Sequence, residues 1–156
     1  MTAPEPPPMA RPRVAAGALF TDDAGRVLLV RPTYKDYWEI PGGYVEPGES
    51  PRIACLRELR EELSISPPVG RHLVVDWAPA EGEGDKLLFI FDCGTLPPGS
   101  LADVRLQQEE LSDLRFVPPT ELDRYVPGRL LRRLHTALNA KRDGQAAYAE
   151  HGDSRF

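Results

Sequence analysis

Proline draws the boundaries of this chain. Seventeen of its 156 residues are proline, roughly twice the ~5% usage of average proteins, and each one fixes φ and removes a backbone donor. Five of them, Pro4, Pro6, Pro7, Pro8 and Pro12, fall within the first dozen residues. Such a stretch can neither pair in a sheet nor wind as a helix, so residues 1–12 read as a disordered, polyproline-like tail. Pro41, Pro47 and Pro51 bracket a glycine-bearing segment and open a helix, which Pro67 then stops. The length left between the tails suits one domain, here 13–142, followed by a polar C-terminal tail over 143–156.

Composition excludes several function classes. With 24 acidic against 19 basic residues the net charge is -5, which argues against an extended basic nucleic-acid surface but not against a nucleotide substrate. Cys55 and Cys93 are too few and too widely spaced for a zinc site or a disulfide framework. They read as buried thiols in a reducing compartment, so the expected location is cytoplasmic. No apolar run approaches the ~18 residues of a membrane span, and the N-terminus does not read as a signal peptide.

Hydrophobic patterning places strands at Arg13 to Thr21 and Arg26 to Arg31, joined by an Asp22-Asp23-Ala24-Gly25 turn. A short strand is expected at Trp38 to Ile40, ending at Pro41-Gly42-Gly43. Ser50-Pro51 starts a helix reaching about Leu63, since serine caps free amides and proline at the first position loses no bond. Further strands follow at Arg71 to Ala78, Lys86 to Cys93 and Leu114 to Val117, with a polar loop at Glu81 to Asp85. A short helical stretch at Glu121 to Tyr125 precedes a last helix from Arg129 to about Lys141. Leu130, Leu131, Leu134 and Leu138 form the packing stripe of that helix. The fold class is therefore α+β, a layered α/β/α arrangement.

The chemistry concentrates between Gly43 and Ile65, GYVEPGESPRIACLRELREELSI. On a helix advancing 100° per residue, Ile53, Leu56, Leu59 and Leu63 make one apolar stripe. Glu58, Glu61 and Glu62, spaced i, i+3, i+4, crowd a different face, at a cost of a few tenths of a kcal/mol per like-charged pair. A solvated glutamate face is the plain alternative. A hard-cation site is the sharper one, because Mg²⁺ or Mn²⁺ takes carboxylate oxygens and substrate phosphates. The preceding glycine loop, with Gly42, Gly43 and Gly48, favours the second reading because its backbone can come close to a ligand.

This stretch resembles the signature of the Nudix hydrolases, GX5EX7REUXEEXGU, where U is aliphatic. Gly43, Glu49, Arg57, Glu58, Leu59, Glu61, Glu62 and Ile65 match it at the required intervals. Ser64 alone departs, standing where the family has a glycine that ends the helix in a left-handed conformation. The resemblance implies a Nudix fold with a central mixed β-sheet, and Mg²⁺-dependent (or Mn²⁺-dependent) cleavage of a nucleoside diphosphate linked to another moiety. It implies metal ligation by Glu58, Glu61 and Glu62 with the Gly42 carbonyl, and orientation of a box glutamate by Arg57. Glu49 would support the loop, pairing with Arg57 or reaching the metal through water. The general base would be Glu58, with Glu110 of a distant acidic pair, Glu109-Glu110, as the other candidate base and metal ligand.

Substrate selection lies outside the signature. Arg31, Tyr37 and Trp38 are the expected substrate contacts, and Tyr34, Lys35, Trp77 and Phe89 are further candidates for stacking or phosphate binding. The expected partner is a small nucleotide or other diphosphate, with a nucleoside triphosphate or nucleotide sugar in view. A homodimer contact through the C-terminal tail stays open. Two other readings compete: a non-catalytic nucleotide-binding module, which tends to lose box glutamates, and an isoprenoid diphosphate isomerase, for which neither cysteine has a suitable setting.

Overall fold

A computed structural model describes residues 1–96, 101 and 103–156. Strands β1 (Arg13–Thr21) and β2 (Val27–Pro32) form the expected hairpin. Its turn is fastened by Asp22, whose Oδ1 accepts from the amides of Ala24 (3.0 Å) and Arg26 (2.9 Å). Then come β3 (Gly42–Tyr44), α1 (Pro51–Leu63), β4 (His72–Trp77), β5 (Lys86–Thr95), β6 (Leu111–Val117), α2 (Gly128–Asp143) and β7 (Ala147–Glu150). The strands form one mixed sheet in the order β6-β2-β1-β5-β4-β7, with β3 also paired to β1. The β1–β5 and β4–β7 pairs are parallel and the rest antiparallel.

Each face of the sheet is covered by one helix, giving the α/β/α layers. Phe20, Leu28, Val30 and Phe91 pack with Ala54, Cys55, Leu59 and Leu63 of α1. Leu19, Leu29, Leu73 and Ile90 pack with Leu134, Ala137 and Ala140 of α2, with Leu130, Leu131 and Leu138 at the margin. Alternate residues of β1 and β2 thus feed opposite cores, as the two-residue strand period requires. Cys55 and Cys93 are free and buried side by side, and their mutual hydrogen bond together with burial keeps the Cys93 thiol protonated.

Three expectations need correction. Trp38 to Ile40 is not a strand: Glu39 makes a single bridge to Val30, and the strand is β3, three residues on. The short helical stretch expected at Glu121 to Tyr125 is present as a 3₁₀ helix, Pro119–Arg124, whose start is set by Pro118 and Pro119. Ile53 is 52% exposed, because the inward face of α1 is built from Ala54, Cys55, Leu59 and Leu63. The segment 143–156 is not a tail. It completes α2 and adds β7 alongside β4, with Ala149 fully buried.

The signature's one departure has a physical cost. Ser64 caps α1 at φ 59°, ψ 34°, the left-handed region, and its amide donates to the carbonyls of Arg60 and Leu59. A residue with a Cβ is strained there by about 1 kcal/mol. Ser64→Gly is therefore expected to raise stability by about 0.5–1 kcal/mol, a few degrees of Tm at most, in thermal unfolding. An unchanged or lower Tm would show that the left-handed cap carries no strain.

Candidate active site

The site is assembled on α1. Ser50 caps the helix, its hydroxyl accepting from the Ile53 amide at 3.2 Å. Arg57 ties the helix to the preceding loop. Its Nη2 and Nε donate to Glu49 at 2.6 and 3.0 Å, Nη2 also donates to the Tyr44 carbonyl (3.0 Å), and Nη1 donates to Glu58 (2.9 Å) and Glu61 (3.2 Å). Glu49 in turn accepts from the Glu46 amide at 2.8 Å. These charge-assisted bonds hold the Glu49 carboxyl below its ordinary pKa, the Arg57 side chain supplying the largest share. Arg57 thus touches Glu49, Glu58 and Glu61 at once.

Two glycines let backbone and carboxylates meet. Gly42 has φ 150°, and a Cβ there would lie 2.2 Å from the Ala16 carbonyl oxygen. A Cβ on Gly43 would fall 2.5 Å from a Glu58 oxygen. Only residues without side chains allow β3 to run this close to both β1 and α1. The Gly42 contact with the cluster is through its amide, which donates to Glu62 at 3.2 Å.

Glu58, Glu62 and Glu110 each present an oxygen, all within 4.8 Å of one another. Glu62 is 7% exposed. Burial, with Glu58, Glu39 and Glu110 adding repulsion, pushes its carboxyl up to about 9 against the Gly42 hydrogen bond. Burial likewise raises Glu58, with Arg57 opposing. Three carboxylates so placed fit a hard divalent cation: the donors are all oxygen, and the charge they crowd together is the charge a cation neutralises.

Glu110 arrives from far along the chain because its loop is fastened to α1 and β2. The amides of Arg105 and Gln107 donate to the carbonyls of Leu63 and Glu62, each at 2.9 Å. The Gln107 side chain accepts from the Glu109 and Glu110 amides, and the Thr33 amide donates to the Glu110 carbonyl at 2.8 Å. Sequence reading missed Gln107 and Thr33, which carry no charge and no motif. Glu61 stays outside the cluster, with its carboxylate on Arg57 and its side chain 54% exposed. Glu109 also lies outside it.

Beside the cluster opens a cavity of about 630 Å³, bounded at one side by Glu39, Gly42 and Gly43. Tyr34, Lys35 and Tyr37 line it, with Lys35 Nζ 5.5 and 5.4 Å from the two ring centroids. Phe89 also contributes to its wall. Of the expected substrate contacts only Tyr37 is in this wall. Trp38 packs edge-on against Tyr125 (5.7 Å) beneath Arg115, and Arg31 points to solvent opposite Asp113 on the β2–β6 side. Residue type alone points to both, and it carries neither strand register nor burial. Tyr44, Lys86 and the arginines of α2 also line the cavity, and no motif marks them in the sequence.

A mixed sheet between two helices, with a capped glutamate helix against a glycine strand, defines the class, and a model of the NUDIX domain matches residues 11–135. The chain belongs to the Nudix family and is a hydrolase of phosphoric anhydride bonds. It is 29% identical over 132 residues to an RNA pyrophosphohydrolase of Nitratiruptor, covering 74% of this chain and 83% of that protein. Its fold matches a MutT protein from Methanosarcina mazei with TM-score 0.69 at 23% identity, over 88% of this chain and 99% of that one. It also matches the NUDIX domain of Shewanella oneidensis NrtR complexed with ADP ribose, TM-score 0.65 at 18% identity, over 87% and 90% of the two chains.

Proposed function

We propose that this protein is a Mg²⁺- or Mn²⁺-dependent pyrophosphohydrolase that cleaves a nucleoside diphosphate linked to another moiety, a nucleoside triphosphate or a nucleotide sugar. The observation that carries the reading is the convergence of Glu58, Glu62 and Glu110 next to an aromatic and cationic cavity. These three carboxylates would hold the cation, and Glu61 would support them through Arg57. The cation, when bound, neutralises the diphosphate charge and makes phosphorus accessible to attack by water. Glu58, fixed by Arg57, takes the proton of the attacking water, with Glu110 as the alternative base. Tyr34 and Tyr37 offer stacking faces for a base, and Lys35 offers charge for a phosphate. The two buried free thiols suit a reducing compartment, hence a cytoplasmic location. Among the described residues no helix is long and apolar enough to cross a membrane.

The test is product release across a panel of nucleotides with and without Mg²⁺. Metal-dependent turnover of at least one substrate is expected. Nucleotide binding without turnover of any of them would leave the non-catalytic module instead.

Metal binding should also be linked to pH. Glu62 has a carboxyl pKa near 9 in the metal-free fold against an ordinary 4.5. The folded state therefore holds this proton more tightly than the unfolded chain does. Its contribution to stability is full below about pH 4.5 and is lost as pH rises toward 9. A cation replaces that proton. Mg²⁺ is thus expected to raise Tm more at pH 9 than at pH 6, and equal protection at both would remove Glu62 from the ligand set.

A further inference from the structure

The cavity extends well beyond its edge at Gly42 and Gly43. Its floor crosses β3, β1 and β5, and its far wall is Ala78 and Ala80 after β4 with the first turns of α2. With strands ~4.8 Å apart, the span from the Gly42–Gly43 edge to β4 is roughly 14 Å. Lys35 is paired with Glu39 at 3.0 Å and Lys86 with Glu83 at 2.6 Å, so the middle of the cavity is electrically balanced. The far end is not. Arg129, Arg132 and Arg133 all line it, and among the described residues only Arg133 is ion-paired with a carboxylate, the buried Asp76 at 2.5 Å.

Arg129 donates through Nη2 to the Pro79 carbonyl (2.7 Å) and meets the His151 ring at 3.0 Å. Its Nε is buried with no hydrogen-bond partner among the described residues. Arg132 donates through Nε to the His151 carbonyl at 3.0 Å. Asp153, nearby, is bonded to Arg155 at 3.0 Å, and Arg155 first and Arg132 last hold its carboxyl below the ordinary value. Two guanidinium groups thus face the cavity held by neutral carbonyls and an imidazole, one of them with an orphaned donor. A buried donor without a partner is costly and calls for a cause. Pro127 gives α2 no side-chain cap, and Gly128 and Leu130 of its first turn line the same space.

We propose that Arg129 and Arg132 form a second anion subsite, and that the preferred substrates carry an anionic group, phosphate or carboxylate, on the moiety remote from the diphosphate cleaved at the acidic cluster. The inference rests on the proposed pyrophosphohydrolase reading and narrows its substrate class. Neutral nucleotide sugars and simple nucleoside triphosphates leave the arginines unsatisfied. Substrates with a distal charge complete them, and a guanidinium bonded to an anion is worth roughly 10–100-fold in affinity.

Paired substrates decide it. UDP-glucuronate against UDP-glucose tests a distal carboxylate, and a nucleoside 5′-triphosphate with or without a 3′-phosphate tests a distal phosphate. The wild-type protein is expected to prefer the charged member of at least one pair by about 10-fold or more in kcat/KM, expressed mainly in KM. R129Q/R132Q should reduce that preference below about 3-fold, and the pair that responds identifies the anion. Equal kcat/KM within both pairs, or a preference that survives R129Q/R132Q, overturns the proposal. Calorimetry in EDTA with the same compounds separates this from the catalytic reading. Binding of a charged member weakened at least about 10-fold by R129Q/R132Q supports the subsite even without turnover, and binding unchanged by the substitutions refutes it.

Discussion

Glu62→Gln is expected to lower Mg²⁺-dependent turnover at least about 100-fold while leaving the fold intact. Loss of groups that merely support a metal ligand costs ~10–100-fold, so loss of a ligand costs no less. Glutamine keeps the shape of the side chain and an oxygen for the Gly42 amide, which now donates to Glu62 at 3.2 Å. What disappears is the charge. Burial holds that carboxyl near 9 in the metal-free fold, so removing it relieves a cost, and without metal the variant should be at least as stable as the parent. Activity and stability therefore move in opposite directions, which a misfolded variant cannot imitate. Glu58→Gln should behave similarly in turnover. Glu61→Gln should cost less, because that side chain is half-exposed and reaches Arg57 rather than the cluster. Turnover of Glu62→Gln within about 3-fold of the parent would sink the metal assignment.

The contrast between Glu61 and Glu62 marks how far sequence alone reaches. Helical periodicity puts both on one side of α1, and a signature treats them alike. The difference of one residue, about 100°, decides that Glu62 points under β3 and Glu61 toward solvent and Arg57. Local signals were legible wherever the chemistry was local. Ser50 and Pro51 started α1 as expected, Asp22 fastened its turn, and the limits of β1 came out residue for residue. Ser64 likewise adopted the left-handed cap that the missing glycine foretold. Long-range facts were not legible. The bridging of Gln107 to α1, the seating of Glu110 and the docking of β7 on β4 depend on backbone bonds that no side-chain pattern announces. Trp38 and Arg31 fall outside the cavity wall for the same reason, since their residue types say nothing of the side on which the cavity opens.

The C-terminal strand supplies the second large effect. Asp76→Ala is expected to destabilise the protein by about 3–5 kcal/mol, lowering Tm by roughly 10 °C in thermal unfolding. Asp76 is fully buried on β4 and does two things at once. Its Oδ2 accepts from Arg133 Nε of α2, and its Oδ1 accepts from the Gly152 amide just beyond β7, at 2.9 Å. One carboxylate thus joins β4, α2 and the end of the chain. Removing it strands a guanidinium that is only 13% exposed and orphans a buried amide. Gly152 is fixed there by more than this bond: a Cβ on it would lie 2.7 Å from the Arg129 carbonyl oxygen, so the chain passes tightly over α2. Losing the anchor should therefore loosen residues 147–152 first, and hydrogen exchange of the Ala149 and Gly152 amides should accelerate more than that of β1. Replacing the partners together, Asp76→Leu with Arg133→Met, removes both charges and should recover much of the stability, because a matched apolar pair leaves no buried ion behind. If Asp76→Ala cost less than about 1 kcal/mol, the buried pair would not be what holds β7 and α2 to β4.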